Sequence, residues 1–134
     1  MQAKYRSMRL WAAAMLMSCA GVSAPRAEDA QVYGFAAAAT EITQLYWLAD
    51  TASACGWASR DDVESFKQFA LRFLSAHLEG SHRIALLSMV AAPPYERLVR
   101  DAAYESARQN CESDRWKSGW IAYKAAAEAH SQEF

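Results

Sequence analysis

The 134-residue sequence has no Gly-rich loop, no Gly-x-Ser-x-Gly turn and no His-Glu-x-x-His run. Without the first there is no backbone cradle for a nucleotide phosphate. Without the second there is no strained strand-to-helix turn to present a serine nucleophile. Without the third there is no pair of histidines one helical turn apart to hold zinc. Cysteine occurs three times and never as Cys-x-x-Cys, so neither a dithiol redox motif nor covalent haem attachment is expected. Alternating Val, Ile and Thr runs and Asn-Gly hairpin turns are missing, which removes the usual strand signals. No run of Lys and Arg marks a nucleic-acid footprint. No apolar run reaches the ~20 residues needed to cross a bilayer as a helix.

At the start of the chain, Lys4, Arg6 and Arg9 precede an apolar run from Leu10 to Ala20. Its length, about 11 residues, suits the h-region of an export signal. Small residues allow cleavage after Ala20 or after Ala24, and residues 1–20 are read as a signal peptide. A third reading takes Leu16 to Cys19 as a lipobox, with the signal ending at residue 18 and Cys19 lipidated. Residues 21–31, with Pro25, Arg26, Glu28 and Asp29, form a lead-in without periodicity, and residues 32–134 are expected to make a single helical domain. From Gly21 onward there are 11 Lys and Arg against 15 Asp and Glu, a net charge of −4. The expected location is periplasmic or secreted.

Apolar residues recur with helical period in five stretches. Ile42, Leu45, Tyr46 and Ala49 give one face of a helix over residues 33–54, and Gly56 is suited to the left-handed residue that closes it. Ser59 is an N-cap for a second helix over residues 60–79, with Val63, Phe66, Ala70, Phe73, Leu74 and Leu78 facing the core and Gly80 closing it. Residues 84–90 are so apolar that a short, central helix is expected, stopped by Pro93 and Pro94. Pro94 opens a fourth helix with Tyr95, Leu98, Val99, Ala102, Ala103 and Ala107 on one face, reaching Cys111. Ser113 caps a last helix carrying Trp116, Trp120, Tyr123, Ala127 and His130. The fold class is all-α, a compact bundle of four to five short helices.

An exported chain folds where disulfides persist, and Cys55 and Cys111 both fall at helix ends. They are expected to form one structural disulfide, closing a loop of roughly 57 residues and worth up to about 4 kcal/mol by loss of unfolded-chain entropy. That bridge would bring Trp57 towards Trp116 and Trp120, with Tyr104 and Tyr123 in reach. The plain reading is an aromatic core around the sulfurs. The sharper reading makes Trp57, Trp116 and Trp120 a contact surface, with Arg115 and Lys117 beside it.

Titratable residues offer less. His77, Glu79 and His82 flank Gly80 and would hold a metal only if the chain folded back there, while His130 lies near the terminus. Asp61, Asp62 and Glu64, like Glu112 and Asp114, stand at helix starts, where the dipole favours them. Paired catalytic carboxylates would need an enclosing cleft, for which five short helices leave little room. No catalytic, cofactor-binding or metal-ligating residue is assigned. The expected protein is a non-enzymatic interaction module of the periplasm or envelope, with an unidentified protein partner. The alternative is a small-ligand or metal-binding periplasmic protein.

The leader, the run Leu45-Tyr46-Trp47-Leu48 before Cys55-Gly56, and a helix leading to Cys111 with another after it form a layout. It resembles the DUF2385 family of small exported alphaproteobacterial proteins with two cysteines. Arg108 stands where that layout carries an aromatic residue. The resemblance covers most of the chain after the leader and implies no known activity.

Overall fold

The computed structural model describes residues 34–131. The expected signal peptide, the alternative lipobox reading at Cys19 and the expected lead-in fall outside the described residues. Five helices follow one another: α1 (Phe35–Ala54), α2 (Arg60–Ala76), α3 (Gly80–Ala91), α4 (Pro93–Asn110) and α5 (Asp114–His130), and no strand occurs among the described residues. The all-α bundle is therefore as expected, stapled by one disulfide between Cys55 and Cys111.

Helix α1 is the axis and touches all four others, most extensively α4 and then α2. Half of its twenty residues are buried, including Ala38, Ile42, Leu45, Tyr46, Leu48, Ala49 and Ala52. Small residues lie on the facing side of α4, where Val99, Ala103 and Ala107 are buried at four-residue spacing. Short side chains in one row let the two helix axes approach closely. Phe66, Phe69, Phe73 and Leu74 of α2 and Trp120 of α5 fill the remaining core. Phe66 meets Trp120 edge to face at 5.0 Å, an arrangement the ring quadrupoles favour.

The first helix ends as the sequence predicts. Gly56 has φ +74°, Trp57 N–H donates to Ala52 O at 2.8 Å, and Gly56 N–H donates to Ser53 O at 3.1 Å. Together these make a Schellman motif, with glycine in the left-handed position. Ser59 Oγ accepts from Asp62 N–H at 3.1 Å and starts α2. Ser113 Oγ accepts from Trp116 N–H at 3.4 Å and starts α5.

Three expectations are corrected. Gly80 opens α3 rather than closing α2, which stops at Ala76. Leu78 is pulled into the core at the corner, and the Arg83 guanidinium donates to Leu78 O and Ser75 O. A side chain thus satisfies the terminal carbonyls that a glycine motif would otherwise serve. Helix α3 is peripheral rather than central: of its twelve residues only Leu86 and Val90 are buried, while Ile84 is 66% exposed and Leu87 is also exposed. The centre is already taken by α1. Helix α4 starts one residue earlier than expected, with Pro93 and Pro94 in its first two positions, and Leu98 points outward at 64% exposure.

Candidate functional site

The disulfide joins the C-terminal end of α1 to that of α4, with Cα atoms 5.2 Å apart. The three tryptophans of the expected contact surface occupy three different environments around it. Trp120 is 1% exposed and belongs to the core, so it leaves that surface. Trp116 is half-buried and meets Trp47 edge to face at 5.0 Å, with the Arg115 guanidinium 5.8 Å from its ring. Trp57 is half-buried in the turn after α1. Trp47 of α1 is the aromatic partner in this arrangement.

The histidine corner is likewise dispersed. His77 Nδ1 is in hydrogen-bond contact with Phe73 O, and its ring lies against Phe73. His82 Nδ1 accepts from Phe35 N–H at 3.2 Å. A histidine from α3 thus caps the start of α1, where Gly34 has no side chain to offer. Among the described residues no three His, Cys, Asp or Glu side chains are grouped to hold a metal ion.

A half-open cleft between α1, α2 and α4 has the strongest chemistry. Its volume is about 430 Å3, within the range of small-molecule sites. Asp50 and Ser53 line it from α1, Arg60, Val63, Glu64 and Lys67 from α2, and Glu96, Arg100 and Tyr104 from α4. It is half-open, not the enclosing cleft that paired catalytic carboxylates would need. A polar pair joins α1 and α2 in its lining.

Asp50 and Lys67 form that pair, with Lys67 Nζ donating to Asp50 Oδ1 at 2.8 Å. Lys67 Nζ also lies 5.1 Å from the centroid of the Tyr46 ring, whose π face attracts the ammonium. Asp50 Oδ2 is buried and has no hydrogen-bond partner among the described residues. Leaving such an acceptor unmade costs about 1–3 kcal/mol. Burial pushes the Asp50 carboxyl above its ordinary value, and the Lys67 hydrogen bond and charge oppose that shift. Burial also raises the Tyr46 phenol well above its usual range, with nearby Glu96 adding to the effect. Tyr46 is therefore neutral, and the ammonium faces a neutral ring rather than a phenolate.

Neither Asp50 nor Lys67 was singled out from the sequence, although a signal exists. Asp50 sits four residues after Tyr46 on the apolar stripe of α1, and Lys67 sits between Phe66 and Ala70 on that of α2. Opposite charges at core positions of two successive helices point to a buried pair.

Other polar links are peripheral. Thr43 Oγ1 and Tyr95 Oη are 2.8 Å apart between α1 and α4. Burial raises the Tyr95 phenol as well, with the Thr43 hydrogen bond acting the other way. Lys124 of α5 pairs with Asp62 at the start of α2 at 3.3 Å. The Lys124 and Ser59 hydrogen bonds hold the Asp62 carboxyl below its ordinary value.

No described helix is long and apolar enough to cross a membrane. Comparison with protein-family models, with curated proteins and with solved structures gives no match to this chain.

Proposed function

We propose that this chain is a non-enzymatic helical module, exported to the periplasm or cell envelope, that acts by contact with a protein partner. One observation carries this reading. Helix α3 leaves Ile84 and Leu87 exposed, three residues apart, while Leu86 and Val90 anchor its buried side. Apolar side chains in a row on a peripheral helix suit a partner surface better than solvent. Trp116, half-buried with Arg115 over its ring, is a second residue type favoured at contacts. Export is supported by the basic and apolar leader and by a disulfide, which persists in oxidising compartments. The likeness to the two-cysteine exported family points the same way and adds no activity.

The test is site-specific photo-crosslinking in intact cells, with a benzophenone amino acid at Leu87 and, as control, at the exposed Gln68 of α2. A discrete adduct from position 87 that Ile84→Asp removes supports the reading. Adducts indistinguishable from those at position 68 overturn it. Mass spectrometry of the same preparations reports the leader. Loss of residues 1–20 or 1–24, or a diacylglycerol on Cys19, supports export, and an uncleaved cytoplasmic chain overturns it.

A second reading, a periplasmic small-ligand-binding protein, is favoured by one specific observation. The cleft between α1, α2 and α4 has in its lining a buried carboxylate with one oxygen unpartnered among the described residues.

A further inference from the structure

The geometry points to a small zwitterion as the ligand of the α1/α2/α4 cleft, with a cationic N–H-bearing head at Asp50 and an anionic end at Arg60 and Arg100. This inference rests on the small-ligand reading of the cleft and names the chemistry of its occupant.

The argument begins with the bonding capacity left open. Lys67 is committed to Asp50 Oδ1 and to the face of Tyr46. Asp50 lines the cleft, and the open group of that pair is therefore an acceptor, Asp50 Oδ2, unpartnered among the described residues on a side chain only 6% exposed. A buried carboxylate oxygen is matched by a donor, and best by a charged one: ammonium, amidinium or guanidinium. Glu64 and Glu96 line the same cleft and add negative potential around that donor.

The cations lie farther out. Arg60 and Arg100 line the cleft from α2 and α4, and both are exposed. Arg100 has only a loose contact with Asp101 at 3.9 Å, and Arg60 has no ion pair among the described residues. A guanidinium presents a planar fork of donors that suits a carboxylate. The site thus separates its open acceptor from its open donors, and a ligand with charges of opposite sign at its two ends satisfies both.

Charge balance narrows the class further. The lining has three acids (Asp50, Glu64, Glu96) and three bases (Arg60, Lys67, Arg100). A polyanion meets three carboxylates, and a bare cation meets three positive groups, while a ligand of zero net charge meets neither penalty. Among the described residues, Val63 and Tyr104 are the only apolar or aromatic side chains of the lining, which disfavours a long acyl chain. A volume of about 430 Å3 fits a molecule of amino-acid size.

The experiment titrates the full oxidised chain, isotopically labelled, and follows backbone amide shifts. The zwitterionic probes are L-lysine, L-arginine and 4-aminobutyrate, and the single-charge probes are methylammonium, acetate and inorganic phosphate. Saturable shifts centred on Asp50, Lys67, Glu96 and Arg100, with at least one zwitterion binding about tenfold or more tightly than methylammonium and acetate, support the assignment. Asp50→Asn should weaken that binding by about tenfold or more. If that buried variant does not fold, the exposed Arg100→Gln and Glu96→Gln carry the test, each weakening binding several-fold. Saturation of the same amides by phosphate or acetate alone overturns the zwitterion while leaving a small-ligand site. No perturbation of the lining by any probe overturns both.

Discussion

Lys67 Nζ sits 2.8 Å from Asp50 Oδ1, joining the first two helices through an ion pair whose side chains are each 6% exposed. An ion pair this deep does not have to stabilise the fold. Desolvating two charges can cost as much as their attraction returns, whereas removing one partner strands the other. Lys67→Met alone is expected to lower stability by about 3–5 kcal/mol. The double variant Asp50→Leu with Lys67→Met should come within about 1 kcal/mol of the native chain, or exceed it. Urea unfolding of the four members of this cycle measures the coupling directly. If the double variant is as unstable as the worse single one, the pair is needed for the fold. If it is stable and no longer binds in the cleft, the pair is retained for the cleft.

Asp50 and Asp62 give opposite pH slopes on either side of 3.8, the ordinary value for both. Asp50 is shifted up, so the native state holds its proton more tightly than the unfolded chain. Its contribution is fully present below 3.8 and is lost as the pH rises through the higher native value. Asp62 is shifted down by Lys124 and Ser59, so its contribution is present above 3.8 and is lost as the pH falls through the lower native value. Urea midpoints measured at steps from about pH 2.5 to 6.5 should therefore show two separable effects. Asp50→Asn removes the loss of stability just above 3.8, and Asp62→Asn removes the loss just below it. Asp62 is exposed to solvent, so salt should reduce its share first.

Helix number, caps and the cysteine pair were legible because they depend on local chemistry. Ser59 and Ser113 at N-caps, Gly56 in the left-handed position and cysteines at two helix ends each act within a few residues. The cleft was not legible, because it depends on which faces of α1, α2 and α4 meet. Charge at the core positions of Asp50 and Lys67 is a signal the sequence carries, but only the packing shows that one carboxylate oxygen is left without a donor among the described residues. The same limit explains α3. Its residues 84–90 are apolar apart from Ser88, which suits a central helix, yet α1 already occupies the axis. Composition ranks a helix as buriable and does not decide which of two such helices takes the centre.

The disulfide closes a sequence separation of 56 residues, spanning α2, α3 and α4. By the chain-entropy argument its removal should cost up to about 4 kcal/mol, acting mainly on the unfolded state. Replacing both Cys55 and Cys111 by Ser is therefore expected to lower the urea midpoint strongly while leaving helix content by circular dichroism unchanged in the absence of denaturant. Loss of helix content in that variant would show instead that the bridge is needed to hold the ends of α1 and α4 together in the native state.

The corner between α2 and α3 tests whether a side chain can do the work of a helix-closing glycine. Arg83 donates from Nε to Ser75 O at 3.0 Å and from a terminal nitrogen to Leu78 O at 2.7 Å, while Gly80 holds φ +49°. The guanidinium supplies both donors and positive charge where the α2 dipole is negative. Arg83→Ala should cost up to about 1.5–3 kcal/mol, the range for hydrogen bonds to a charged group. Arg83→Lys should recover only part of that loss, because one ammonium does not reproduce the planar fork. Gly80→Ala should cost about 1–2 kcal/mol from the left-handed backbone alone, since no atom lies within 4 Å of an added Cβ. The two effects have separate origins, so denaturation of Arg83→Ala with Gly80→Ala should give nearly their sum. A double variant no worse than Arg83→Ala would mean that the corner has already opened once the guanidinium is gone, and that Gly80 adopts its backbone angle only because Arg83 draws α3 under the end of α2.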